Sequence, residues 1–234
     1  MPLEDYEIIH ADSDKESAEL AVSQVKSGNA SSLMKGSIKT SILLKAVLDK
    51  EKGLRSGKLL SHILIAELRN KLFLVTDGGM NMYPDLNQKQ NIIENAVRVA
   101  EKMGIKNPSV APLCAVESVN PDMKATLDAS ILSKMNNRGQ IKNCIVDGPL
   151  ALDNAVSLEA AKHKKIVSPV AGNADILLVP DIEAGNIFGK SIIYFAHAKV
   201  GGIIAGASAP IILLSRADDE ETKLNSICLA KIVS

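Results

Sequence analysis

Apolar and polar positions along this chain alternate with two different periods, and the switches between them outline its elements. Across residues 85–103 the apolar side chains Ile92, Ile93, Ala96, Val97, Ala100 and Met103 recur every three or four positions. That spacing lines one face of a helix, and Gly104 supplies its stop. Ser13 with Glu16 three residues later has the form of a capping box, predicting a helix that ends at Gly28. Residues 40–52, closed by Gly53, read as a second helix. Residues 6–9 read as a short strand. Two apolar runs, 63–68 and 72–76, are joined only by Arg69-Asn70-Lys71. So short a link predicts an antiparallel hairpin, because a parallel crossover needs about a dozen residues. Beyond Gly104 the pattern predicts strands at 109–116, 143–147, 175–179, 202–205 and 211–214. Between them it predicts helices at 121–137, 152–163 and 184–196, and a last helix from 219 with Leu224, Ile227, Cys228 and Ile232 as its apolar face. The alternation is that of βαβ units on a largely parallel sheet.

Composition narrows the classes of function. The 234 residues suffice for one large or two small domains, with 46% hydrophobic and 23% charged residues. Lys plus Arg equals Asp plus Glu, 27 of each, and aromatics are 3%. Neither the basic surplus nor the stacking side chains of a nucleic-acid binder are present. The cysteines Cys114, Cys144 and Cys228 are odd in number and far apart, which points to a reducing cytoplasm rather than a disulfide framework. The first ten residues do not read as a signal peptide, and the longest apolar run, 201–214, is too short to span a membrane. A soluble cytoplasmic protein is expected.

In parallel α/β sheets ligands bind beyond the carboxyl ends of strands. Four predicted strand ends carry polar residues: 76–81, 147–150, 180–186 and 215–219. They read either as ordinary turns and helix caps or as parts of one cleft. Ala184 to Ser191 approaches a phosphate-binding P-loop, but Ala184 stands where the first glycine belongs and Phe188 would crowd the loop. Lys190 near a helix start remains a candidate phosphate contact. Ser215 and Arg216 follow a buried-looking strand. A serine hydroxyl can hydrogen-bond a developing oxyanion or thiolate, and an arginine offers two donors to phosphate. Asp218, Asp219, Glu220 and Glu221 read as favourable charges at a helix start, or one of them as a general base. His10, His62, His163 and His197 are scattered, so no metal site is expected, and Ser215 lacks a hydrolase elbow.

Five stretches carry a resemblance: 33–50, 76–84, 147–155, 169–186 and 215–224. In order and spacing they resemble the phosphate acetyl/butyryltransferase family, its butyryl branch most closely, over nearly the whole chain. The resemblance implies a fold similar to isocitrate and isopropylmalate dehydrogenases, with two α/β domains and an active site in the cleft between them. Residues 1–59 with 204–234 would form one domain and 60–203 the other. It implies direct acyl transfer between coenzyme A, as substrate, and inorganic phosphate, giving acyl phosphate; no tightly bound cofactor; and a homodimer. Ser215 and Arg216 match the family's Ser-Arg pair, implied to orient the thiol, bind phosphate and polarise the acyl carbonyl. Lys35, Gly36, Thr40, Lys45, Asp181 and Asn186 fall in the matching substrate-binding stretches. Thr222 occupies the position of the acetyl branch's aspartate base, which leaves Glu221, or Asp219, as its substitute. Lys45 or Lys35 stands where that branch has an arginine. The family's additional N-terminal βαβ stretch has no counterpart before residue 6, so a shortened chain is expected, weak or inactive and leaning on oligomerisation. A non-catalytic coenzyme A or phosphate binder is the second reading, and a metal-dependent dehydrogenase ranks last.

Overall fold

A computed structural model describes residues 6–215 and 217–234. In chain order the elements are α1 (Asp14–Lys26), β1 (Leu33–Met34), α2 (Thr40–Val47), β2 (Ser61–Leu68), β3 (Lys71–Thr76), α3 (Leu86–Lys102), β4 (Ser109–Pro112), α4 (Lys124–Asn137), β5 (Ile145–Val146), α5 (Leu152–Val156), α6 (Leu158–His163), β6 (Ile176–Leu178), α7 (Ile182–Tyr194), β7 (Lys199–Ala205), β8 (Ile211–Ile212) and α8 (Glu220–Val233). Local chemistry accounts for many of the boundaries. Asp85 caps α3, accepting from the Gln88 N–H at 2.8 Å while the Gln88 side chain accepts from the Asp85 N–H. Gly104 closes that helix at φ +88°. The β2–β3 hairpin turns through Arg69 and Asn70, both at positive φ.

The eight strands form one sheet in the order β1-β8-β7-β2-β3-β6-β4-β5. It is mixed rather than largely parallel. β3, β6, β4 and β5 run parallel to one another, as do β1 and β8, but β2 is antiparallel to both β3 and β7, and β7 is antiparallel to β8. The two-residue Arg69-Asn70 turn forces the first reversal. The long β2–β7 ladder, which pairs Ser61 with Ala205 through to Glu67 with Lys199, makes the second.

Alternation along each strand divides the core into two faces. Leu74, Ile63, Ile203, Ile176 and Ile212 pack on one side against α3, α4 and α8, with Ile92, Ile93, Leu132 and Leu229. Phe73, Val75 and Leu177 point to the other side, under α5 and α6. On that same side α7 covers Ala66 and Val200, while α1 and α2 cover Ile204 and Ile211. Side chains such as Ile92 and Ile93 are fully buried, each contributing about 1.5–3 kcal/mol of transfer free energy.

Several expectations need correction. Residues 7–10 form no strand, and Ile8 and Ile9 are exposed. Helix α2 stops at Val47, and the predicted 152–163 helix breaks at Ser157, which is extended and caps α6 through the Ala160 N–H. The expected apolar face of α8 points outward: Leu224, Ile227 and Ile232 are exposed, while Ser226, Leu229 and Ala230 are buried. Small residues face the sheet because α8 rides close on β7. A side chain at Gly201 would come within 3.1 Å of Asn225. The Ser226 hydroxyl instead accepts the Gly202 N–H at 2.9 Å and donates to the Thr222 carbonyl at 2.7 Å.

Candidate active site

The face that carries α1, α2 and α7 has a gap between its two helical packs. There lies a cavity of about 290 Å3 whose floor is the sheet itself: His62 and Leu64 of β2, Val75 of β3, and Val200, Gly202 and Ile204 of β7. Its walls are the 78–80 turn after β3, Gly185, Asn186, Gly189 and Lys190 of α7, Thr40 at the start of α2, and Leu213 to Ser215 with Asp218 and Thr222. Three of the four polar strand ends therefore meet. The fourth does not: Leu150 is buried, and its carbonyl accepts the Cys114 N–H at 2.8 Å.

Two of the walls touch backbone to backbone. A Cβ on Gly78 would lie 2.7 Å from the Gly185 carbonyl carbon, and one on Gly185 would lie 2.6 Å from Gly78 Cα. Only glycine allows the 76–81 turn to sit against the first turn of α7. The buried Asp77 carboxylate organises that turn, accepting the N–H groups of Gly79 and Met80 at 2.9 Å and the Asn81 amide at 2.6 Å.

Ser215 is exposed at the cavity edge. Its N–H donates to Asp218 Oδ2 at 2.7 Å, and its Oγ accepts the Ala217 N–H at 3.3 Å, leaving the O–H directed by whatever ligand arrives. Arg216 lies outside the described residues. Thr40, Asn186 and Lys190 join Ser215 around the cavity, Asn186 and Lys190 lying one turn apart on α7. The remaining candidates do not line it. Lys35 turns back to donate to the Gly36 and Ile38 carbonyls at 2.9 and 3.3 Å, and Gly36 is exposed. Asp181 caps α7 through the Ala184 N–H at 2.9 Å. Lys45 lines a hollow of about 730 Å3 between α1 and α2. A second hollow of that size, beside α3 and the 205–210 loop, contains none of the described candidates.

Glu221 pairs with Lys199 at 3.0 Å on the outer side of α8, which raises the lysine pKa. Asp219 caps α8, and the Thr222 N–H holds its carboxyl below the usual value. Both substitutes for the base are thus engaged elsewhere. The P-loop reading fails on geometry: Ala184 to Ser191 lie inside α7, where the backbone N–H groups are committed to helix bonds beyond the first turn. Among the described residues no cluster of three or more His, Cys, Asp or Glu could hold a metal.

Sequence reasoning passed over His62. It sits on the cavity floor, and burial lowers its pKa while Asp77 and Asp218 pull the other way. The available signal was the register of β2: His62 shares a face with Leu64 and Ala66, so a polar ring occupies an inward position.

The chain resembles known proteins over most of its length. Residues 7–231 match the profile of the phosphate acetyl/butaryl transferase family. The chain is 57% identical to the probable phosphate butyryltransferase of Bacillus subtilis, over 96% of this chain and 76% of that protein. It is 51% identical to the phosphate butyryltransferase of Clostridium acetobutylicum, over 100% of this chain and 78% of the other. Its structure resembles the crystal structure of a branched-chain phosphotransacylase from Enterococcus faecalis, with a TM-score of 0.92 and 42% identity, covering 96% of this chain and 81% of that one. With Ser215 and its neighbours gathered at one cavity and likeness extending over essentially its whole length, the chain belongs to the phosphate acetyl/butaryl transferase family.

Proposed function

We propose that this protein transfers a short acyl group, butyryl or similar, between coenzyme A and inorganic phosphate: acyl-CoA plus phosphate gives acyl phosphate plus CoA. The observation that carries the reading is the convergence of Ser215, Thr40, Asn186 and Lys190 on one cavity in a chain of this family. A phosphate oxygen attacks the thioester carbonyl carbon, negative charge gathers on the carbonyl oxygen, the C–S bond breaks, and the thiolate departs. Ser215 Oγ–H steadies the sulfur as charge develops there, and Arg216 and Lys190 hold the phosphate. A volume of about 290 Å3 is at the low end for ligand pockets and suits a short acyl group beside phosphate, with the coenzyme's nucleotide lying outside. The closest reading beside this one is acetyl transfer by the same chemistry.

We read the fold as dehydrogenase-like, with residues 1–59 and 204–234 as one domain and 60–203 as the other. Support comes from the apolar cluster of Val22, Leu43, Val47, Leu54, Ile204 and Ile211, drawn almost wholly from the first set, and from the cavity at its border with the second. Among the described residues no helix is long and apolar enough to cross a membrane. The free cysteines and an acyl-CoA substrate favour a cytoplasmic setting. The exposed row Leu224, Ile227 and Ile232 favours a homodimer. The test of function is thioester formation from butyryl phosphate and coenzyme A. Turnover should be coenzyme A-dependent and fall about 100-fold in Ser215→Ala. A folded chain that binds coenzyme A and turns nothing over would leave the non-catalytic reading standing instead.

A further inference from the structure

His62 Nδ1 is buried and has no hydrogen-bond partner among the described residues. A polar atom withdrawn from water without a partner costs about 1–3 kcal/mol, so its persistence on the floor of a cavity calls for a reason. The ring is slotted between two glycines. A Cβ at position 79 would stand 3.2 Å from Nδ1, and one at 202 would stand 3.2 Å from Nε2, so a side chain at either place would press on the imidazole. The strand beneath is fixed on both sides: His62 pairs with Ile204, and its carbonyl accepts the Thr76 hydroxyl at 2.7 Å.

This seat also selects a protonation state. A neutral imidazole carries one N–H. A buried N–H without an acceptor is less tolerable than a bare lone pair, which puts the proton on Nε2. A second proton would create that unpaired buried N–H, and burial already pushes the ring below its ordinary pKa. The nearby carboxylates oppose this only partly. Asp77 is occupied by the Gly79, Met80 and Asn81 N–H groups, and Asp218 by the Ser215 N–H. Lys190 is the cation on the facing helix wall.

We infer that His62 is a further catalytic residue of this site, its Nε2–H donating to the acyl carbonyl oxygen as the tetrahedral centre forms. The inference rests on the acyl-transfer reading above. In the step, the phosphate O–C bond forms, charge moves onto the carbonyl oxygen, and it returns as the C–S bond breaks; no proton leaves the ring. The same seat argues against His62 as the thiol's base, since accepting a proton would bury an unpaired N–H.

His62→Leu and His62→Gln, assayed with butyryl phosphate and coenzyme A, test this. Leucine should lower kcat about 100-fold with KM for coenzyme A nearly unchanged, and glutamine, which restores an N–H, should recover about tenfold of it. A folded His62→Leu with native kcat would overturn the inference. So would a His62→Gln variant that loses a pH limb the native enzyme shows. If the variants do not fold, nitrogen-15 NMR of histidine-labelled native protein decides. A single neutral Nε2–H tautomer from about pH 5.5 to about 8, shifting on addition of butyryl-CoA, supports the assignment. An Nδ1–H tautomer, protonation within that range, or no response to saturating butyryl-CoA refutes it. A native chain that turns over no butyryl phosphate sinks the functional reading, and the butyryl-CoA titration then decides His62 separately.

Discussion

Lys89 and Asp128 form the most enclosed ion pair among the described residues, Nζ to Oδ2 at 2.8 Å with side chains only 6% and 10% exposed. Burial alone would raise the Asp128 pKa. Bonds from Lys124 and Lys89 outweigh it, so the carboxyl titrates below its ordinary value. A folded-state pKa below the unfolded one stabilises above the unfolded value of about 3.9, and the benefit is lost as pH falls through the folded value. Asp128→Asn strands the Lys89 charge and should cost about 3–5 kcal/mol at neutral pH by urea denaturation. The deficit relative to the native chain should shrink as pH falls below about 4, where Asp128 of the unfolded chain takes up a proton while the folded carboxylate still resists. Cys114, whose thiol is pushed up to about 11 chiefly by burial, should resist alkylation at neutral pH compared with the exposed Cys228.

At the scale of elements, close backbone approaches decide which turns tolerate change. Gly206 has φ +97°, and a Cβ there would fall 2.1 Å from the Leu59 carbonyl oxygen. Gly139 has φ +74° but open space around it. Thermal melts should separate them: Gly139→Ala costs only the left-handed strain of about 1 kcal/mol, Gly206→Ala distinctly more. Gly185→Ala should press α7 off the 76–81 turn and lower kcat together with the melting temperature. Elements written as uninterrupted periods, such as α3 and the β2–β3 hairpin, were legible in the sequence because one local rule governs each. The break at Ser157 was not, since the apolar spacing continues through it. The buried side of α8 was misread because close packing on β7 selects Ser226 and Ala230 over larger apolar residues. In the site, Ser215, Asn186 and Lys190 could be found from strand and helix ends. His62 could not, because its role depends on two glycines, Gly79 and Gly202, distant from it and from each other in sequence.

For the whole molecule, the outward row Leu224, Ile227 and Ile232 on α8 sets an expectation about assembly. If this row seats a second copy, Ile227→Glu should shift sedimentation toward the monomer while leaving circular dichroism unchanged. An unchanged sedimentation coefficient would exclude this row as a contact between copies. The ladder joining Ser61–Leu68 to Lys199–Ala205 has a consequence of another kind. Its two strands are separated by most of the chain, so the entropy of closing that loop must be met before any of its hydrogen bonds return. On the ribosome the first strand waits without one of its neighbours until the residues between the two strands, and the second strand itself, have been made. The cavity floor is built across that seam, so catalytic competence should appear only after the second strand has emerged, and a nascent chain stalled before Lys199 should lack it.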